Sequence, residues 1–117
     1  GTAAALAGGL VRAGTRFAHR LPELYGGWPE SLLDYPAACR PQAWSAASAF
    51  VLVRAALGLD ADVPGGRLTV APAPAFAGWF PLRIEGLAVA GHPLAVEVDR
   101  DGRASVVTGA PLEVVRV

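Results

Sequence analysis

The chain has 117 residues, the length of one ordinary domain, and is 53% hydrophobic but only 17% charged, against a usual charged share of about a quarter. Ten basic residues, all Arg, balance ten acids to a net charge of zero, so there is no basic field to attract a phosphate backbone and nucleic-acid binding is excluded as a leading function. The single Cys39 rules out an internal disulfide, and the apolar runs are too short or too interrupted for the roughly 20 residues a membrane helix needs. So few charges lead to the expectation that part of the apolar surface meets protein outside this chain. Gly1 to Ala5, with no basic n-region, reads as a chain cut in mid-domain.

In chain order, Thr2 to Arg20 is predicted helical. It is Ala-rich, and Leu6, Leu10, Ala13 and Phe17 recur at three- and four-residue steps. Arg12, Arg16 and Arg20 form a second stripe, read as a solvated face with cations toward the helix C-terminus. Periodicity then stops. Leu21 to Pro41 contains Pro22, Pro29, Pro36 and Pro41, the pair Gly26-Gly27, and the aromatics Tyr25, Trp28 and Tyr35. It is predicted to be a long loop, and loops of such length are usually functional or disordered. Its aromatic content argues against disorder. A second helix is predicted from Gln42 to Leu57, with Pro41 before it and Gly58 as its C-cap. Only Ser45, Ser48 and Arg54 are polar between Ala43 and Leu57, and a helix apolar nearly all round calls for burial on most sides.

Residues 60–66 read as a turn-rich linker, after which the pattern turns to period two. Strands are predicted at Arg67–Ala71, Trp79–Ile84, Leu87–Val89, Leu94–Val98, Ala104–Val107 and Leu112–Val117, with Asp101-Gly102 as a hairpin signal.

The segments Arg20-Leu21-Pro22-Glu23-Leu24-Tyr25-Gly26-Gly27 and Tyr35-Pro36-Ala37-Ala38-Cys39-Arg40-Pro41-Gln42-Ala43-Trp44-Ser45 resemble the end of the catalytic domain in glycogen debranching and amylo-alpha-1,6-glucosidase-like glycoside hydrolases. The resemblance covers Arg20 to Ser48 and is only general beyond it. It implies an α+β chain: two helices from the end of an (α/α)6 barrel with an active-site loop (residues 1–59), then a small, mainly antiparallel β tail (60–117). It also implies that the chain is the C-terminal portion of an inverting enzyme that cleaves alpha-glucosidic linkages. In such a reaction one carboxyl protonates the leaving oxygen while a second carboxylate, on the other sugar face, activates water. Glu23 is implied as that general base. The acid is an Asp outside this chain, and neither Glu30 nor Asp34 is assigned to it.

Tyr25, Trp28, Tyr35 and Trp44 offer ring faces on which sugars stack, with Trp28 the foremost platform. Trp44 stands evenly between platform and core packing, and Gln42 between a bond to a sugar hydroxyl and a structural bond near the helix start. Arg40 reads as an ion-paired or solvated cation ahead of a ligand for a carboxylate or sugar hydroxyls. Cys39 is read as a buried thiol and not a nucleophile, because His19 and His92 lie in unrelated segments. One Cys and two scattered His also make no zinc site, and no cofactor is expected. The expected partners are an alpha-glucan or oligosaccharide and the remainder of the catalytic barrel, in the cytoplasm, without nucleic acid or membrane. A non-catalytic carbohydrate-binding or capping module is the alternative.

Overall fold

A computed structural model describes residues 2–28 and 30–117. Gly1 and Pro29, which belong to the chain-start and loop readings above, lie outside the described residues. The chain divides into two compact units, Gly1–Val53 and Arg54–Val117, whereas the sequence boundary was drawn at residues 59 and 60.

In the first unit, α1 (Thr2–Arg16) buries Ala7, Ala13 and Gly14 on one stripe. The helix closes on an i→i−5 bond, with the His19 amide donating to the Gly14 carbonyl at 2.7 Å, a Schellman-type ending. Ala18 and His19 hold the left-handed conformation there, at φ 53° and 58°. The turn swings Phe17 and Leu21 inward, and they join Ala13 in a small core against which Tyr25 and Leu32 pack. The Phe17 and Tyr25 rings lie 5.4 Å apart, tilted by 49°.

The segment expected to be a long loop contains a β-hairpin, β1 (Tyr25–Trp28) and β2 (Ser31–Asp34). Its antiparallel register pairs Tyr25 with Asp34 and Trp28 with Ser31. Neither strand is rich in β-branched residues, and two glycines interrupt the first, so propensity carried no strand signal. Gly27 makes the turn possible: it sits at φ +95°, where a Cβ would overlap the Ser31 carbonyl oxygen.

The second helix, α2 (Ala43–Leu57), spans the unit boundary, and its buried residues, Ala56 and Leu57, fall in the second unit. That unit continues with β3 (Leu59–Asp62), β4 (Arg67–Val70), a 3-10 helix (Pro74–Trp79), β5 (Leu82–Val89), β6 (His92–Val98), β7 (Ala104–Thr108) and β8 (Glu113–Arg116). They form two three-stranded sheets, β3-β4-β8 and β5-β6-β7. All pairs are antiparallel except β4 with β8.

The start of the expected linker is strand β3. Gly58, at φ +55° with the Ala71 carbonyl against its Cβ position, lets the chain turn straight from helix into strand. The segments read as strands at Trp79–Ile84 and Leu87–Val89 become the end of the 3-10 helix and one strand, β5, with a register shift between Ile84 and Leu87. Period-two burial is plain in β6, where Leu94, Val96 and Val98 are buried, and in β4, where Leu68 and Val70 are. Ala90 and Gly91 between β5 and β6 both take positive φ, 49° and 77°, as a two-residue type I′ hairpin turn requires.

The expected architecture is corrected here. The chain is a small α+β protein, but it is not a piece of an (α/α)6 barrel: among the described residues about 35% are strand, in three small sheets, and only two helices reach seven residues. The physical reason lies between and after those helices. The connection between them pairs with itself as a hairpin, and α2 runs almost directly into the β3-β4-β8 sheet. No helix among the described residues is long and apolar enough to cross a membrane.

Candidate functional site around Glu23

Three hydrogen bonds hold the backbone around Glu23. The Gln42 amide donates to the Leu21 carbonyl at 3.1 Å, and the Glu23 amide donates to the Cys39 carbonyl at 3.0 Å. The Ser45 hydroxyl donates to the Pro22 carbonyl at 2.9 Å. Pro22 is buried and its ring limits φ, so the residue before the carboxylate is restrained by its own covalent structure as well. The Glu23 side chain points elsewhere: it is exposed and borders a concavity of about 330 Å³. Tyr25, Trp44, Ser45 and Ser48 share that wall, with Leu10, Leu21 and Pro22 beneath. Ligand clefts usually measure roughly 300–1,000 Å³, so the space is at the small end of the range for one sugar-sized group.

Each aromatic is positioned differently. Tyr25 is half-buried and held against Phe17. Trp44, in the first turn of α2, is 84% exposed, so it is an open ring and not core packing. Trp28 does not border this concavity. Successive strand residues point to opposite faces, so Tyr25 and Trp28, three apart on β1, face opposite sides of the hairpin. Trp28 is 78% exposed.

Gln42 is the N-cap of α2. Its side-chain Oε1 accepts from the Trp44 amide at 2.7 Å and from the Ser45 amide at 3.4 Å, satisfying donors that a helix start leaves without partners. Of its two sequence readings, the structural bond is the one present. Gln42 therefore serves the site by fixing the turn that carries Trp44 and Ser45. Ser45 and Ser48 were noted in the sequence only as polar breaks in an apolar helix. Their spacing of three, with Trp44 beside them, was the signal that they share a face.

A neighbouring hollow of about 280 Å³ is bordered by Pro22, Asp34, Tyr35 and Arg40. There Arg40 pairs with Asp34 at 3.3 Å, both side chains about half exposed, so this pair contributes at most about 1 kcal/mol. Cys39, expected to be buried, is exposed. Among the described residues no group of three His, Cys, Asp or Glu side chains stands close enough to hold a metal ion.

In the second unit the Arg83 guanidinium lies beside two carboxylates, Glu85 and Glu97. Its hydrogen bonds to Glu85, then the charges of Glu85 and Glu97, raise its pKa above the ordinary guanidinium value. The Arg83 side chain is exposed, and with Glu97 it borders a hollow of only about 70 Å³. No family model, no curated protein and no solved structure matches this chain.

Proposed function

We propose that this chain forms part of a glycoside hydrolase acting on alpha-glucosidic linkages of a glucan or oligosaccharide, with inversion and with Glu23 as general base. The observation that carries the reading is the setting of Glu23. Its backbone is pinned, and the exposed residue lines a sugar-sized concavity together with two aromatic residues. Among the described residues no hydrogen bond or salt bridge engages that carboxylate, which leaves it available to a water or a sugar hydroxyl. Tyr25 and Trp44 offer the apolar ring faces that sugars favour. The general acid comes from outside these residues, about 6.5–9.5 Å from Glu23 when the site is complete. No cofactor is required, and the setting is cytoplasmic.

The competing reading, a non-catalytic carbohydrate-binding or capping module, would place the ligand on the β-rich second unit. The hollow on its β5-β6-β7 sheet, about 70 Å³, is well below the usual size of a ligand cleft, which favours the Glu23 site.

The test is steady-state kinetics on maltooligosaccharides and branched dextrins with the enzyme containing this chain. Glu23→Gln keeps the shape of the side chain and removes the base, so kcat should fall by about 10²–10⁴-fold. An unchanged kcat removes Glu23 as the base, and retention of anomeric configuration, followed by NMR, overturns inversion. The 117-residue chain alone should release no glucose, because the acid is not in it.

A further inference from the structure

We infer that Ser45 is the positioning residue for Glu23, an inference that rests on the catalytic reading of that carboxylate. Of the three hydrogen bonds that bracket Glu23, two join main chain to main chain. Only the third, from the Ser45 hydroxyl to the Pro22 carbonyl, comes from a side chain.

That bond is unlike the other side-chain hydrogen bonds of the described residues. It joins positions 23 apart in sequence, whereas every other one spans six residues or fewer. The others are local, within one element or turn and its flank, and this one ties the start of α2 to the segment carrying Glu23.

The placement of Ser45 is itself over-determined. Its amide lies within reach of the Gln42 side chain, and its carbonyl accepts the Ser48 hydroxyl at 2.6 Å. A rigid helix start therefore transmits its position through one hydroxyl to the residue preceding Glu23. Without the hydroxyl, the part-buried Pro22 carbonyl loses its donor, and the peptide linking Pro22 to Glu23 is held at its N–H end alone, by the Cys39 carbonyl. General-base catalysis needs the carboxylate within hydrogen-bond reach of the water it activates, and a displacement of about 1 Å can cost on the order of 10²-fold in rate.

The experiment compares Ser45→Thr with Ser45→Val, two β-branched side chains of similar volume that differ by the hydroxyl, so that a change in helix packing is common to both. In the enzyme containing this chain, Ser45→Val should lower kcat about 10- to 100-fold with KM changed less than about threefold, and Ser45→Thr should restore most of the loss. In the 117-residue chain, amide exchange at Glu23, whose N–H is bonded to the Cys39 carbonyl, should be at least about tenfold faster in Ser45→Val than in Ser45→Thr. Equal kcat and equal exchange in the two variants overturn the inference, even when Glu23→Gln is inactive. A fully active Glu23→Gln enzyme overturns the catalytic reading instead, and the exchange comparison then still decides whether Ser45 holds Glu23 in place.

Discussion

The two units treat their apolar residues in opposite ways. Among the described residues, the second, Arg54–Val117, holds nine of the thirteen buried hydrophobic residues, among them the fully buried Leu57, Leu68, Val70 and Val98. The first, Gly1–Val53, holds four, Ala7, Ala13, Phe17 and Leu21, yet among the described residues it carries nine of the twelve exposed large apolar side chains, including Trp28, Leu33, Trp44, Phe50 and Val51. The candidate site lies wholly in the unit with the smaller core. Burial in the second unit drives its folding. In the first, many rings and aliphatic chains stand open to solvent, and hydrogen bonds to the main chain hold the backbone at Glu23.

The largest effect expected from this contrast is in the second unit. Leu68→Ala, at a position with no exposure, should cost about 2–5 kcal/mol in chemical denaturation. A cost below about 1 kcal/mol would show that the second unit is not organised around that strand. Next is Gly27→Ala, which forces a Cβ against the Ser31 carbonyl at φ +95°. A loss of about 1–3 kcal/mol, seen as faster amide exchange in β1 and β2, is expected from that strain. Gln42→Ala removes the cap of α2 and should cost about 0.5–2 kcal/mol, and it should loosen Trp44 and Ser45 as judged by amide exchange. Least of all, Leu33→Ala, 61% exposed on the outer face of the hairpin, should change stability by no more than about 0.5 kcal/mol. It should also reduce binding of a hydrophobic dye. Contiguous apolar surface on a monomer rarely exceeds a few hundred Å², so the intact chain should bind such a dye or self-associate through the region of Phe50 and Val51. A dye-negative, strictly monomeric chain would break the contrast between the units.

Sugar binding sharpens the same contrast within the first unit. Tyr25→Ala and Trp44→Ala should raise KM for oligosaccharides, because both rings border the Glu23 concavity. Trp28→Ala should leave KM closer to the wild-type value, since that ring stands on the other face of β1. Equal losses for all three would mean that the bound substrate reaches around the hairpin.

Much of the secondary structure was legible in the chain itself. Of the expected stripe Leu6, Leu10, Ala13 and Phe17, Ala13 and Phe17 are buried while Leu6 is 67% exposed, and the alternation of Leu94, Val96 and Val98 marks a strand buried on one side. Gly58 marks the end of α2, where no side chain fits beside the Ala71 carbonyl. Such signals are local: they depend on which face of a helix or strand meets the core and on which backbone angles a residue tolerates. The hairpin from Tyr25 to Asp34 escaped notice because short strands with two glycines and little β-branching carry almost no local preference, and pairing across the turn stabilises them instead. The (α/α)6 architecture was carried by resemblance to a short motif, and a motif does not determine how the segments on either side of it pair.

For the site, Glu23 is nominated only by the resemblance of its segment to a hydrolase motif, and Tyr25 and Trp44 by the ring faces they offer to sugars. Tertiary structure alone decided their company. It sent Trp28 to the far face through the two-residue period of β1 and turned Gln42 into a helix cap. It also brought the Ser45 hydroxyl onto the Pro22 carbonyl across 23 positions of chain. That last contact has no sequence signature, because a hydrogen bond between distant segments exists only once folding has brought them within about 3 Å.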